Sequence, residues 1–205
     1  MGTVTGAKRA PVGRPRGFDA EEALERALLV FWEKGYEGAG LADLTAAMGI
    51  TRTSMYAAFG NKEQLFRRAL DRYTEGPASY GELALTEPTA QAVATAFLNG
   101  SVRTTTRPDA PAGCLGVQGS LVSGDAGRPI HDALVEWRTA AEVRLADRFR
   151  RAVDEGDLPA GADPRRLARY LMTVANGIAV QAAGGTSRGE LQEVADTTLR
   201  NWPPA

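Results

Sequence analysis

The sequence predicts an all-α fold of about nine helices. Apolar residues recur at three- and four-residue intervals through most of the chain, helix-capping pairs open one segment after another, and no segment carries the two-residue alternation of a strand. With 205 residues, 43% of them hydrophobic, there is material for a substantial core.

Residues 1–17 hold Gly, Pro and basic side chains without periodicity, which predicts a flexible basic arm. Asp19 and Glu22 then form a capping-box pattern, and Ala23, Leu24, Ala27, Leu28, Phe31 and Trp32 follow at helical spacing until Gly35. Leu41, Leu44, Thr45 and Met48 mark a short second helix ended by Gly49. Thr51 caps a third, whose inner face is Met55, Ala58 and Phe59. Asn61 with Gln64 caps a fourth, facing inward through Leu65, Phe66, Ala69, Leu70 and Tyr73. Further helices are expected at 88–106, 115–123 and 129–155, then from Asp163-Pro164 to Ala183. Ser187 with Glu190 opens the last, which carries the stripe Leu191, Val194, Ala195, Thr198, Leu199 and Trp202. This order divides the chain into an arm (1–17), a compact trihelical unit (18–73) and a larger helical part (74–205).

Bulk composition narrows the chemistry. One cysteine forms no internal disulfide, which points to a reducing compartment, the cytoplasm. One histidine and one cysteine supply no metal-ligand cluster, so no metal and no other cofactor is expected. With no phosphate-cradling loop either, an enzyme is not expected. No apolar run reaches the about 18–20 residues of a membrane span. A net charge of −1 confines any nucleic-acid contact to a local patch.

The patch is legible in Gly49–Phe59. A helix enters the major groove when it is tightly tethered at a fixed angle and shows small or polar side chains. Thr45 and Ala46 are small where two helices approach, Gly49 suits a left-handed turn and Ile50 plugs the turn from inside. Arg52, Thr53 and Tyr56 face outward, Thr51 caps, and Lys62 opens the next helix, so these five are candidate DNA contacts.

Phe31-Trp32-Glu33-Lys34-Gly35-Tyr36-Glu37, then Leu41…Leu44…Met48-Gly49-Ile50-Thr51, then Met55-Tyr56-Ala57-Ala58-Phe59-Gly60-Asn61-Lys62, resembles the TetR/AcrR family of bacterial transcriptional regulators. The resemblance covers Phe18–Tyr73 and implies a homodimer with two helix-turn-helix units, a C-terminal domain for effector binding and dimerisation, and a repressor released from a palindromic operator by a small molecule. Several phosphate-contacting positions of the family hold other residues here: Ala39-Gly40 replaces Thr or Ser, Ala42 a basic residue, and Ala57-Ala58 stands where His or Tyr is common. Bare amides at Gly40 and Leu41 are left as candidate phosphate contacts. The segment Gly13-Arg14-Pro15-Arg16-Gly17 resembles an AT-hook core, which would place Arg14 and Arg16 in a minor groove.

For the effector, Phe97, Cys114, Gln118, Trp137, Tyr170, Met172 and Asn176 are candidate pocket residues. Leu167, Leu171, Val174 and Ile178, together with the Leu191–Trp202 stripe, are candidates for the dimer interface. Two alternatives stay open: a thiol-based electrophile sensor acting through Cys114 at a helix N-terminus, and a nonspecific architectural DNA binder.

Overall fold

The computed structural model describes residues 17–118 and 127–203. Ten helices run through the described residues: α1 (Ala20–Gly38), α2 (Leu41–Met48), α3 (Arg52–Phe59), α4 (Lys62–Glu75), α5 (Tyr80–Leu85), α6 (Ala90–Thr105), α7 (Leu115–Gln118), α8 (Arg128–Asp154), α9 (Pro164–Ala183) and α10 (Arg188–Arg200). The arm at 1–16, with Arg14 and Arg16, and the expected extension of α7 from 119 to 123 lie outside the described residues.

Cap chemistry explains most boundaries. Thr51 Oγ1 accepts from the Ser54 amide, Asn61 and Gln64 cap each other's backbone, Asp163 caps α9 ahead of Pro164, and Ser187 with Glu190 does the same for α10. At α1 the Asp19 carboxylate accepts from the Glu21 and Glu22 amides, but the expected reciprocal bond from Glu22 is absent. The Glu22 carboxylate pairs instead with Arg26 one turn on, at 2.5 Å. Gly49 sits at φ +66°, ψ +29°, and the following amide at Ile50 reaches back to the Thr45 carbonyl. Only glycine adopts this left-handed corner without strain, and it sets the angle between α2 and α3.

One helix was not expected. α5 is six residues long, contains Gly81 and carries an exposed Leu83, so it shows no apolar period of its own. Tertiary contact with α6 and α8 makes it helical. The core is continuous: the apolar cluster of α1–α4 also takes in Cys114, Leu115 and Val117 around α7, Ile130 and Leu134 of α8, and Ala179 of α9. A second cluster fills the space among α6, α8, α9 and α10.

That second cluster corrects the reading of the apolar stripes. Leu167, Leu171, Ile178, Leu191 and Ala195 are at most 2% exposed in the single subunit, and Thr198 and Trp202 are buried as well. Val174 and Leu199 pack half-buried against the same core. Periodicity marks which face of a helix is covered but not by what, and here α9 lies across α6 and α8 of its own chain. Of the proposed interface residues only Val194 is exposed. Trp202 lies past the end of α10, held by Phe149 and Tyr170.

Candidate nucleic-acid interface and internal cavity

The exposed face of α3 carries Arg52, Thr53 and Tyr56, with Thr51 at its head. None of Arg52, Thr53 and Tyr56 has a side-chain partner among the described residues, so all three side chains are available to a ligand. Met55 and Phe59 bury the opposite face. Arg68, a residue the sequence reading passed over, fixes the far end: its Nη1 donates to the Ala58 carbonyl at 3.1 Å, and its guanidinium lies 4.7 Å from the Phe59 ring centre. A cation there also opposes the negative end of the α3 dipole.

Lys62 is placed by stacking. Its ammonium lies 4.5 Å over the Tyr36 ring at the start of α4. Burial pushes its pKa down from the ordinary lysine value, with Glu37 opposing. At α2 the expectation of two bare amides is corrected. The Gly40 amide donates to Asp43 Oδ2 at 3.1 Å, because the carboxylate at the third helical position swings back over the side-chain-free cap. Asp43 is braced in turn by Lys34 at 3.0 Å, and these bonds hold its pKa below the ordinary carboxylate value. Of the two, the Leu41 amide stays uncapped.

Below this unit lies a cavity with about 60 Å³ open to the centre of a water-sized sphere. α5, α6, α8 and α9 enclose it, and it reaches Thr74 of α4 and Cys114 beside α7. Of the candidate pocket residues, Phe97, Cys114, Trp137, Met172 and Asn176 line it. Gln118 and Tyr170 do not. Gln118 turns back so that its Nε2 donates to the Ala112 carbonyl at 3.3 Å, and Tyr170 stacks on Trp202 with ring centres 6.4 Å apart. Tyr80, Glu82, Ser101 and Arg144 line the cavity without having been foreseen. Three of them carry polar groups that no apolar period reveals, and Tyr80 belongs to the unforeseen helix. Burial pushes the Tyr80 phenol well above its ordinary pKa, with the Ser101 hydroxyl opposing. Glu82 and Arg144 meet at 2.6 Å on the exposed rim.

The cavity wall is also the seam with the helix-turn-helix unit. Trp137 Nε1 donates to Thr74 Oγ1 at 2.9 Å, Tyr73 Oη donates to Cys114 Sγ at 3.3 Å, and Trp32 Nε1 donates to the Gly113 carbonyl at 3.2 Å. Tyr73 packs edge-on to Trp32, with ring centres 4.8 Å apart, and leans on Trp137 at 6.2 Å. Cys114 is 8% exposed, and burial pushes its thiol up, against the hydroxyl of Tyr73 and the amides of Gly116 and Val117. A thiol so placed is a weak nucleophile. The sensor reading of Cys114 is therefore not favoured.

No helix among the described residues is long and apolar enough to cross a membrane. Residues 23–69 match the model of the "Bacterial regulatory proteins, tetR family", and residues 93–198 match that of the "Tetracyclin repressor-like, C-terminal domain". The HTH-type transcriptional repressor ComR of Escherichia coli is 34% identical over 194 residues, covering 93% of this chain and 92% of ComR. Among solved structures, a cysteine mutant of the TetR family transcriptional regulator CifR complexed with 26-bp operator DNA superposes with a TM-score of 0.89 at 41% identity. It covers 93% of this chain and 100% of that one. A TetR regulator from Rhodococcus sp. RHA1 gives 0.62 at 41% identity, over 91% and 100%. Matched in both halves and over nearly its whole length, the chain belongs to the TetR family of transcriptional regulators.

Proposed function

We propose that the chain is a one-component repressor that binds a palindromic operator as a homodimer and leaves it when a small molecule enters the cavity. The observation that carries this reading is the shared wall: Trp137 lines the cavity and is bonded to Thr74 of α4, the helix that holds α3 against α1. The name of ComR and the operator complex of CifR support the choice of repressor. Arg52 and Thr53 read base edges, while Tyr56, Lys62, the Thr51 turn and the Leu41 amide hold phosphates.

The second copy docks on the faces of α9 and α10 that the subunit leaves bare: Thr173, Gly177 and Val180 on one, Val194 and Thr197 on the other. Val180 is 44% exposed and Val194 49%, unusual for large apolar side chains in a core-forming helix pair. Gly17 and Phe18 lie in a groove with Gly49, Ile50 and Thr51, and Phe18 packs on Phe59 at 6.4 Å. Gly17 thus lies beside the start of α3, and Arg14 and Arg16, ahead of it in sequence, would add minor-groove contacts.

Selection from random duplex DNA, followed by footprinting, tests the reading. A single palindromic site protected by two subunits is expected, and protection without sequence preference would establish the architectural alternative instead. On the selected site, removing residues 1–16 lowers the salt slope of binding by about 0.9 per lost phosphate contact. An unchanged slope takes the arm out of the interface.

A further inference from the structure

The chemistry of the cavity wall defines its guest more narrowly than its location does. Its bulk is apolar and aromatic: Phe97, Trp137, Met172 and Leu145, with Ala141, Ala175 and Ala179 between them. The polar groups are nearly all engaged with one another. Thr74 Oγ1 donates to the Leu70 carbonyl and accepts from Trp137, Cys114 accepts from Tyr73, and Glu82 is paired with Arg144. The Tyr80 phenol and the Ser101 hydroxyl face each other, and Asn176 is the exception. It lines the cavity from α9, and its carboxamide has no partner among the described residues.

We infer that the cavity takes a small, uncharged, oxygen-bearing organic molecule, its oxygen on the Asn176 carboxamide and its hydrocarbon body between Phe97, Trp137 and Met172. The inference rests on the effector-binding reading above. A permanently charged guest would leave water for a wall whose one ion pair among the described residues already neutralises itself. A pure hydrocarbon would cover the Asn176 amide without replacing its bonds to water. An alcohol, ketone or aldehyde satisfies both conditions, because the carboxamide donates to a carbonyl and either donates to or accepts from a hydroxyl. The space open to the centre of a water-sized sphere is about 60 Å³, which suits a small guest.

The test uses the full chain without DNA. Saturation-transfer NMR follows cyclopentanone against methylcyclopentane, butyrate and cyclopentylammonium, four probes of closely similar size. Cyclopentanone is expected to bind in the millimolar range or tighter, and the other three at least about tenfold more weakly. Asn176→Leu weakens cyclopentanone by at least about fivefold. Asn176→Asp reverses the order, so that cyclopentylammonium binds more tightly than cyclopentanone. Ala141→Phe, which fills the cavity from the opposite wall, abolishes binding and serves if the Asn176 variants fail to fold by circular dichroism. The inference is overturned if a charged probe matches cyclopentanone on the native protein, if no neutral probe binds, if folded Asn176→Leu binds cyclopentanone as tightly as the native protein, or if binding survives Ala141→Phe. Because no operator takes part, these outcomes are separate from a failure of DNA binding or of release, which would overturn the repressor reading alone.

Discussion

Gly116→Ala is the most direct probe of the wall between the two halves. A Cβ at this position would lie 2.3 Å from Cζ3 of Trp137, 2.7 Å from Cε3 and 3.1 Å from Cη2. Carbon atoms rest about 3.5–4.0 Å apart, so the indole has to retreat by roughly 1.2 Å or more. Its Nε1 now donates to Thr74 at 2.9 Å, and a retreat of that size carries the pair beyond hydrogen-bond range. Overpacking costs about 1–3 kcal/mol, and the lost bond adds about 0.5–1.5 kcal/mol. The gain in helix propensity returns at most about 1 kcal/mol. The net cost is about 2 kcal/mol, which at about 2–4 °C per kcal/mol for a chain of this size lowers Tm by about 4–8 °C. Thermal unfolding followed at 222 nm, at one fixed protein concentration because a dimer melts with mass action, measures it. Trp137→Phe removes the part of the indole that would clash. The double variant should then be less destabilised than the two single costs combined, by about 1 kcal/mol. A Tm within about 1 °C of the native value, or strict additivity in the cycle, would refute the reasoning.

The other expectations address the ends of the molecule and its buried polar groups. Thr51→Ala removes the oxygen that caps the Ser54 amide at 3.1 Å, costs about 1 kcal/mol and frays the first turn of α3; fluorescence anisotropy on the selected operator should show weaker binding, restored by Thr51→Ser. Val180→Asp with Val194→Asp yields a folded monomer in sedimentation, whereas Leu171→Asp, at a fully buried position, unfolds the chain; a dimer surviving the first pair rules out that face. The pKa of Cys114 is raised in the folded state, so its contribution is fully present below the unfolded thiol pKa and is lost as pH rises past about 9. Urea midpoints at pH 8 and pH 10 should differ more for the native chain than for Cys114→Ala. Arg148 is 5% exposed, and its Nη2 donates to the Glu87 carbonyl, while Nε and Nη1 have no partner among the described residues. A buried cation so poorly compensated is dispensable, so Arg148→Met is expected to be neutral or stabilising by about 1–3 kcal/mol; a clear loss of stability would show that the charge has a counter-group.

What the sequence told and what it withheld follow from the range of the interactions. Thr51, Asn61, Asp163 and Ser187 cap within three residues of themselves, so their helices could be read locally. The turn at Gly49 and the outward side chains of α3 were legible for the same reason. α5 was not, because it is helical only by contact with α6 and α8. The stripe Leu167–Leu171–Ile178 was seen, but its covering was misassigned, since a subunit's own helices and a second copy's offer the same apolar surface. Tyr80, Ser101 and Arg144 are scattered over three helices and converge only in the fold. The Gly40 amide looked free because the rotamer of Asp43, three residues on, is not written in the order of residues.

The segment from Arg107 to Gln118 is where the two halves meet. The Gly113 carbonyl takes a bond from Trp32, Cys114 takes one from Tyr73, and Cys114 and Val117 form part of the cavity wall. Upstream, Pro108, Asp109, Ala110 and Pro111 line a surface groove together with Arg26, Leu29, Val30 and Glu33 of α1 and Ala47 of α2. A guest that displaces Val117 or Trp137 therefore strains bonds to α1 and α4 together. Each is worth about 1 kcal/mol, so altering two or three supplies the about 1–3 kcal/mol of a usual allosteric coupling, a change of about 5–150-fold in operator affinity. Larger effects are out of reach of this seam without a change in how the two subunits sit. Linkage also makes the coupling reciprocal: if a guest weakens the operator complex by some factor, the bound operator weakens the guest by the same factor. A guest whose affinity is equal with and without operator does not work through Trp137 and Thr74, however tightly it binds.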